Sequence, residues 1–164
     1  MNDFLPDEYK VPTDSKYMRL QDGENKFRIL SKPIIGWLDW DNKKPVRFHM
    51  NAKPEHSIDP AKAIKHFWAF VVWNYGASKV QIIEITQQTI QQAIQRLAED
   101  KEWGAPFNYD IKVTRTGSGM NTEYAINPMP PRPVAEEIMA AYVPLTINLD
   151  ALYEGKDPFT TTPF

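Results

Sequence analysis

The stretch His66-Phe67-Trp68-Ala69-Phe70-Val71-Val72-Trp73-Asn74-Tyr75 constrains the fold more than any other part of the chain. Aromatic and β-branched side chains dominate it, and these fit the pleated surface of a sheet better than the crowded surface of a helix. Successive side chains of a strand point to opposite faces. His66, Trp68, Phe70, Val72 and Asn74 therefore share one face, and Phe67, Ala69, Val71, Trp73 and Tyr75 share the other. Parity does not say which of the two faces outward. Gly76-Ala77-Ser78 is a short turn, and Lys79-Val80-Gln81-Ile82-Ile83-Glu84-Ile85 returns as a second strand. Together they predict a β-hairpin.

The rest of the chain reads around that hairpin. Lys26-Phe27-Arg28-Ile29-Leu30 alternates basic and apolar residues, the period of a half-buried strand. Phe27 and Ile29 are expected inside, Lys26 and Arg28 outside. Pro33 interrupts the pattern, and Ile34 to Trp40 resumes it, with Gly36 marking a bulge or a sharp bend. Lys43 to His49 is a further short strand, and residues 51–62, with Pro54 and Pro60, form a loop. Thr86 is expected to cap a helix in which Ile90, Ala93, Ile94 and Leu97 share one face, with Gly104 and Pro106 ending it. Tyr109 to Arg115 alternates as a strand with Lys112 and Thr114 outward, Thr116 to Gly119 turns, and Asn121 to Ile126 pairs back.

Three strand regions, a helix and a two-strand hairpin follow the order of an OB-fold, a small Greek-key barrel that binds oligonucleotides. The expected fold is mainly β: a five-stranded OB barrel with a helix between strands 3 and 4, a short C-terminal helix and a flexible acidic tail. An α+β sandwich has similar element counts. With 164 residues the chain is long enough for one such domain. The expected divisions are a loose arm over 1–16, the barrel over 17–133, a C-terminal helix and extension over 134–154, and a disordered tail over 155–164.

Several chemistries have no support. With no cysteine, disulfides, thiolate nucleophiles and cysteine zinc sites are excluded. His49, His56 and His66 match no zinc spacing, and there is no phosphate-binding glycine loop. Gly117-Ser118-Gly119 reads as a hairpin turn rather than a nucleophile elbow. Asp39, Asp41 and Glu84 remain for a metal-dependent, nuclease-like alternative. The expectation is no enzyme, no metal and no cofactor. No apolar run approaches the length of a membrane span, so a cytoplasmic protein is expected.

Charge and aromatics point to a ligand. The net charge is −2, yet residues 26–79 hold ten basic and four acidic side chains, between two acidic ends. Within that block the cations interleave with Trp37, Trp40, Phe48, Trp68, Phe70, Trp73 and Tyr75. A single strand of nucleic acid offers phosphates to a cationic groove and unstacked bases to flat aromatic rings. Trp37, Trp40, Trp68, Trp73 and Tyr75 are the candidate stacking residues, and Arg28, Lys44, Arg47, Lys79 and Lys112 the candidate phosphate contacts. The same tryptophans could instead form the hot spots of a protein-interaction module.

Read in order, several segments resemble phage-encoded OB-fold single-stranded-DNA-binding proteins of the helix-destabilising kind. Lys26 to Leu30 with Gly36-Trp37 is similar to that family's first barrel strand. Phe67 to Tyr75 with Lys79 to Gln87 is similar to its central hairpin, Trp103 to Pro106 with Tyr109 to Ile111 to its helix exit, and Leu149 to Leu152 with Asp157-Pro158-Phe159 to its C-terminal region. The resemblance implies largely sequence-independent coating of single-stranded DNA in phage replication, recombination or repair, in the host cytoplasm. It also implies an acidic tail that meets replication or recombination proteins, here with Asp157, Pro163 and Phe164. A plain unstructured end is the other reading of those last residues.

Overall fold

The computed structural model describes Phe4 and residues 16–159. Most of the expected arm, and residues 160–164 with Pro163 and Phe164, lie outside the described residues. The fold is mainly β. Among the described residues eight strands are present: β1 (Tyr17–Met18), β2 (Gly23–Ile29), β3 (Ile34–Asp41), β4 (Lys44–His49), β5 (Lys65–Asn74), β6 (Lys79–Ile85), β7 (Asp110–Thr116) and β8 (Glu123–Pro128). Helix α1 (Gln88–Glu99) lies between β6 and β7, and α2 (Glu136–Tyr142) follows β8. The sheet runs β1-β6-β5-β2-β7-β8, with the β3–β4 hairpin branching from β5. Among the described residues β8 pairs with β7 alone, so this path stays open.

Five strands were expected, and the difference has physical causes. The expected first strand is broken at Ser31-Lys32-Pro33, where proline has no N–H to give to a ladder. Its halves pair with different parts of β5: Phe27–Ile29 lie against Val72–Asn74, and Ile34–Leu38 against Lys65–Ala69. The break is pinned by Ser31 Oγ, which accepts the Val71 N–H at 2.9 Å. β3 and β4 turn through Asn42 and Lys43, both with positive φ, the conformation a two-residue hairpin needs. Gly36 is neither a bulge nor a bend. It lies where a Cβ would sit 2.0 Å from the Phe48 carbonyl oxygen on β4, a separation only glycine permits.

β5 has apolar side chains on both faces because both are covered. Phe70 and Val72 join Phe27, Ile29, Ile83, Ile85, Ile111, Val113 and the Ile90–Ile94 face of α1 in one core. Phe67, Ala69 and Val71 join Leu38, Ile82 and Leu152 in a second, against which Tyr142, Ile147, Tyr153 and Phe159 pack. The C-terminal segment is thus the second cover of the sheet. A tail was expected to begin at residue 155, yet residues 155–159 fold onto the molecule. Asn148 N–H donates to the Pro158 carbonyl at 2.8 Å, Pro158 is buried, and Lys16 Nζ meets Asp157 Oδ2 at 2.8 Å.

The helix limits also differ from expectation. Gln87, not Thr86, is the N-cap of α1, with no side-chain capping bond. The helix ends at Glu99 because Asp100 takes it over: its N–H reaches the Arg96 and Leu97 carbonyls, and its carboxylate accepts the Glu102 N–H at 2.7 Å.

Candidate nucleic-acid interface

A cleft of about 1040 Å³ opens where β1, β4 and β6 face the ends of β7 and β8 and the C-terminal segment. Lys16, Arg19, Lys44, Arg47, Arg115 and Lys156 bring cations to its walls, and Glu84 and Asp157 bring carboxylates. Tyr17, Trp40 and Tyr124 bring aromatic rings. Of the residues expected from sequence, the cleft collects Trp40, Lys44, Arg47 and Asp157.

Local structure explains these positions. On β4, Arg47 lies opposite Leu38 and forks onto Glu84, with Nε–Oε2 at 2.6 Å and Nη2–Oε1 at 3.4 Å. Its guanidinium carbon stands 6.0 Å from the Phe67 ring centre. Arg115 Nη1 donates to the Leu20 carbonyl at 3.4 Å, and its Nε lies 3.7 Å from Asp22 Oδ1. Among the described residues, Arg19 and Lys44 carry no ion pair. Burial pushes the Tyr17 phenol above its ordinary pKa; Arg47 opposes the shift, and Asp157 and Glu84 add to it.

Trp37 and Trp40 each carry a lysine. Lys53 Nζ stands 4.4 Å from the Trp37 ring centre and Lys62 Nζ 5.1 Å from that of Trp40, both cation–π contacts. Trp37 lies outside the cleft, with its Nε1 donating to the Met50 carbonyl at 2.9 Å. Between the two tryptophans, buried Asp39 accepts the Trp40 N–H at 2.8 Å and the Ile58 N–H at 3.0 Å. Its carboxylate thus pins the loop over residues 51–62 to β3. Among the described residues no group of three or more metal-ligating side chains could hold a metal ion.

A second basic patch lies on the outer side of β2 and β7. Lys26 Nζ is 4.6 Å from the Tyr75 ring centre, and Lys26 faces Lys112 across the ladder. Tyr75 OH donates to Asp110 Oδ1 at 2.8 Å and accepts from Arg132 Nη2 at 3.3 Å. Burial, then the bond to Asp110, raises its pKa. Lys112 Nζ lies 3.6 Å from Glu24, and Lys79 pairs in register with Asn74.

Two expected contacts, Arg28 and Trp73, are corrected. Arg28 is 1% exposed, so it offers nothing to a phosphate. Its Nε and Nη2 donate to the Phe107 carbonyl, Nη2 also to the Arg132 carbonyl at 2.6 Å, and Nη1 to Asp110 at 3.3 Å. Strand parity placed Arg28 outside, but the chain at Phe107 and Arg132 covers that side of β2. Trp73 is 5% exposed within the sheet, and Trp68 is half-buried against the α1 core. Trp73 presents no open ring face, whereas Trp68 lines a shallow apolar pocket with Pro33, Ile94 and Phe107.

Lys16, Tyr17, Arg19, Arg115, Tyr124 and Lys156 were missed. For the first three a signal existed: Lys16-Tyr17-Met18-Arg19 repeats the interleaving of cations and rings seen at 26–79, but sits at the edge of an expected loose arm. The others are scattered in sequence and meet only in the fold.

No protein-family model matches the chain, and no solved structure matches it. It is similar to a protein of Escherichia phage T5 described as a probable ssDNA-binding protein, with 23% identity over 140 residues. The match covers 68% of this chain and 54% of the phage protein, so the chain spans about half the length of that relative. The similarity bears out the resemblance to phage single-strand binders. No helix among the described residues is long and apolar enough to cross a membrane.

Proposed function

We propose that this chain binds single-stranded DNA, largely without sequence preference and without catalysis, in the cleft between β1, β4 and the ends of β7 and β8. The observation that carries the reading is the gathering of six cations and three aromatic rings in one open cleft from five separate stretches of sequence. A polyanion with unstacked bases is the ligand that uses both features. Lys44, Arg47, Arg19 and Arg115 take phosphates, while Trp40, Tyr17 and Tyr124 take bases. The printed description of the T5 relative supports the same ligand.

On this reading the fold is an OB-type barrel. β2 and β3 act as its long first strand, β5 and β6 as the second and third, and β7 and β8 as the fourth and fifth. Support comes from the position of α1 between β6 and β7 and from the pairing of β2 with both β5 and β7. The domain spans residues 17–133. Trp37 with Lys53, and Tyr75 with Lys79 and Lys112, meet a strand only as it leaves the cleft. The role falls in phage replication, recombination or repair in the host cytoplasm. Proteins of those processes are met through the acidic end that contains Asp157, Pro163 and Phe164.

A titration of the full chain into labelled oligo-dT over a range of salt tests this. The expected result is tight binding at low salt that weakens with log salt by about 0.7 per phosphate neutralised, and weaker binding to duplex of equal length. No binding at low salt, or equal binding to duplex, removes the reading. Salt-insensitive association with protein partners alone would favour the interaction module.

A further inference from the structure

Two of the cleft's cations each come with one of its carboxylates already on them. Lys16 holds Asp157 at 2.8 Å, and Arg47 holds Glu84 at 2.6 Å. Tyr17 feels all four of these charges. The two carboxylates differ in how they are held. Asp157 is exposed and belongs to the C-terminal segment. Glu84 belongs to a central strand, paired in register with Ala69, and its side chain is only 22% exposed. Arg47 is more enclosed still, at 11%, and stands near the Phe67 ring. Two oxygens of one anion meet two nitrogens of one guanidinium, which is also how arginine grips a phosphate.

We infer that Glu84 is a built-in phosphate surrogate: in the free protein it holds the Arg47 guanidinium ready in the cleft, and it limits strand affinity because a phosphate must displace it or share the fork. This rests on the reading that the strand lies in the cleft. Glu84 acts through Arg47 and is a positioning residue. The arrangement keeps a half-buried arginine satisfied when no strand is bound, so a cation that would otherwise lack a partner stays in place.

The test uses the full chain, labelled oligo-dT and a salt series. Glu84→Gln keeps the shape and removes the charge. It is expected to tighten binding roughly two- to five-fold at low salt, the size of one partly exposed ion pair. The gain shrinks as salt rises. Glu84→Asp keeps the charge in the cleft but shortens its reach to Arg47, and should show less of the gain than Glu84→Gln. Adding Arg47→Ala to Glu84→Gln should abolish the gain, because the gain passes through Arg47. An unaltered or weaker affinity for Glu84→Gln, at an unchanged melting temperature, overturns the inference. Glu84→Thr, a good strand former, repeats the test if the glutamine variant melts early. If both variants unfold, Glu84 is a structural residue and the inference fails. A parent that binds no oligo-dT refutes the cleft reading itself, which separates the two failures.

Discussion

Two pairs of tryptophans look alike in sequence and end in different places. Trp68 and Trp73 lie on β5, and Trp37 and Trp40 on β3. Every strand that could expose β5 is already paired to it: β6 on one side, β2 and β3 on the other. Both of its faces are covered as well, by α1 and by the C-terminal segment. β3 reaches past this core in a hairpin whose outer strand, β4, pairs with nothing else among the described residues. Its tryptophans stay half-exposed, with lysines over their rings. The same residue type is therefore enclosed at Trp73 on a central strand and half-exposed at Trp37 and Trp40 on a protruding one, and only the neighbours decide.

The largest effect should come from removing what is wholly enclosed. Arg28→Ala leaves Asp110 and the Phe107 and Arg132 carbonyls without their shared donor. Breaking such a buried group costs about 3–5 kcal/mol, read by denaturant unfolding. Trp73→Ala should cost about as much, roughly 3–5 kcal/mol, through the cavity it leaves. A Trp73→Ala protein with parental stability would erase the contrast between the two strands.

Next in size are the rings of the cleft. Trp40→Ala or Tyr17→Ala should weaken oligo-dT binding by about 1–3 kcal/mol, and each should cost less stability than Trp73→Ala. Trp37→Ala, outside the cleft, should weaken binding less than either. Equal losses at Trp37 and Trp40 would place the strand across the whole hairpin instead. Arg47→Ala should lower affinity and flatten the salt dependence by about 0.7.

The smallest effect concerns pH. The hydrogen bond from Lys16, then that from the Phe159 N–H, holds the Asp157 carboxyl below its ordinary pKa. A lowered folded pKa means that this contact supports the fold above the ordinary carboxylate pKa and is lost as pH falls through the lowered one. Lys16→Ala should return the Asp157 titration, followed by NMR, toward the ordinary value. A titration that stays low in that variant would show that Lys16 is not the main cause.

Much of the fold was legible because it is local. The β5–β6 and β7–β8 hairpins and α1 follow from alternation, turn residues and helical spacing within short windows. The branch at Ser31–Pro33 was half visible, since Pro33 marks a break but not that each half finds its own part of β5. The packing of residues 155–159 was hidden, because Phe159 and Pro158 gain a partner only when the second face of β5 and β6 exists. The site divides the same way. Trp40, Lys44 and Arg47 stood out as neighbours in a basic, aromatic stretch. Arg115 and Tyr124 face each other across the β7–β8 ladder and join the cleft from far along the chain. Arg28 misled because strand parity separates faces without saying what later covers them.

The central claim is that a single strand lies in the cleft along Tyr17, Trp40 and Tyr124. Ultraviolet cross-linking of oligo-dT to the full chain, mapped by mass spectrometry of the peptides, tests it most directly. The account predicts cross-links at Tyr17, Trp40 or Tyr124 that vanish at high salt, with few at Trp37 and none at Trp73. Cross-links centred on Tyr75 and the Lys26–Lys112 patch, with the cleft rings unmodified, would contradict it.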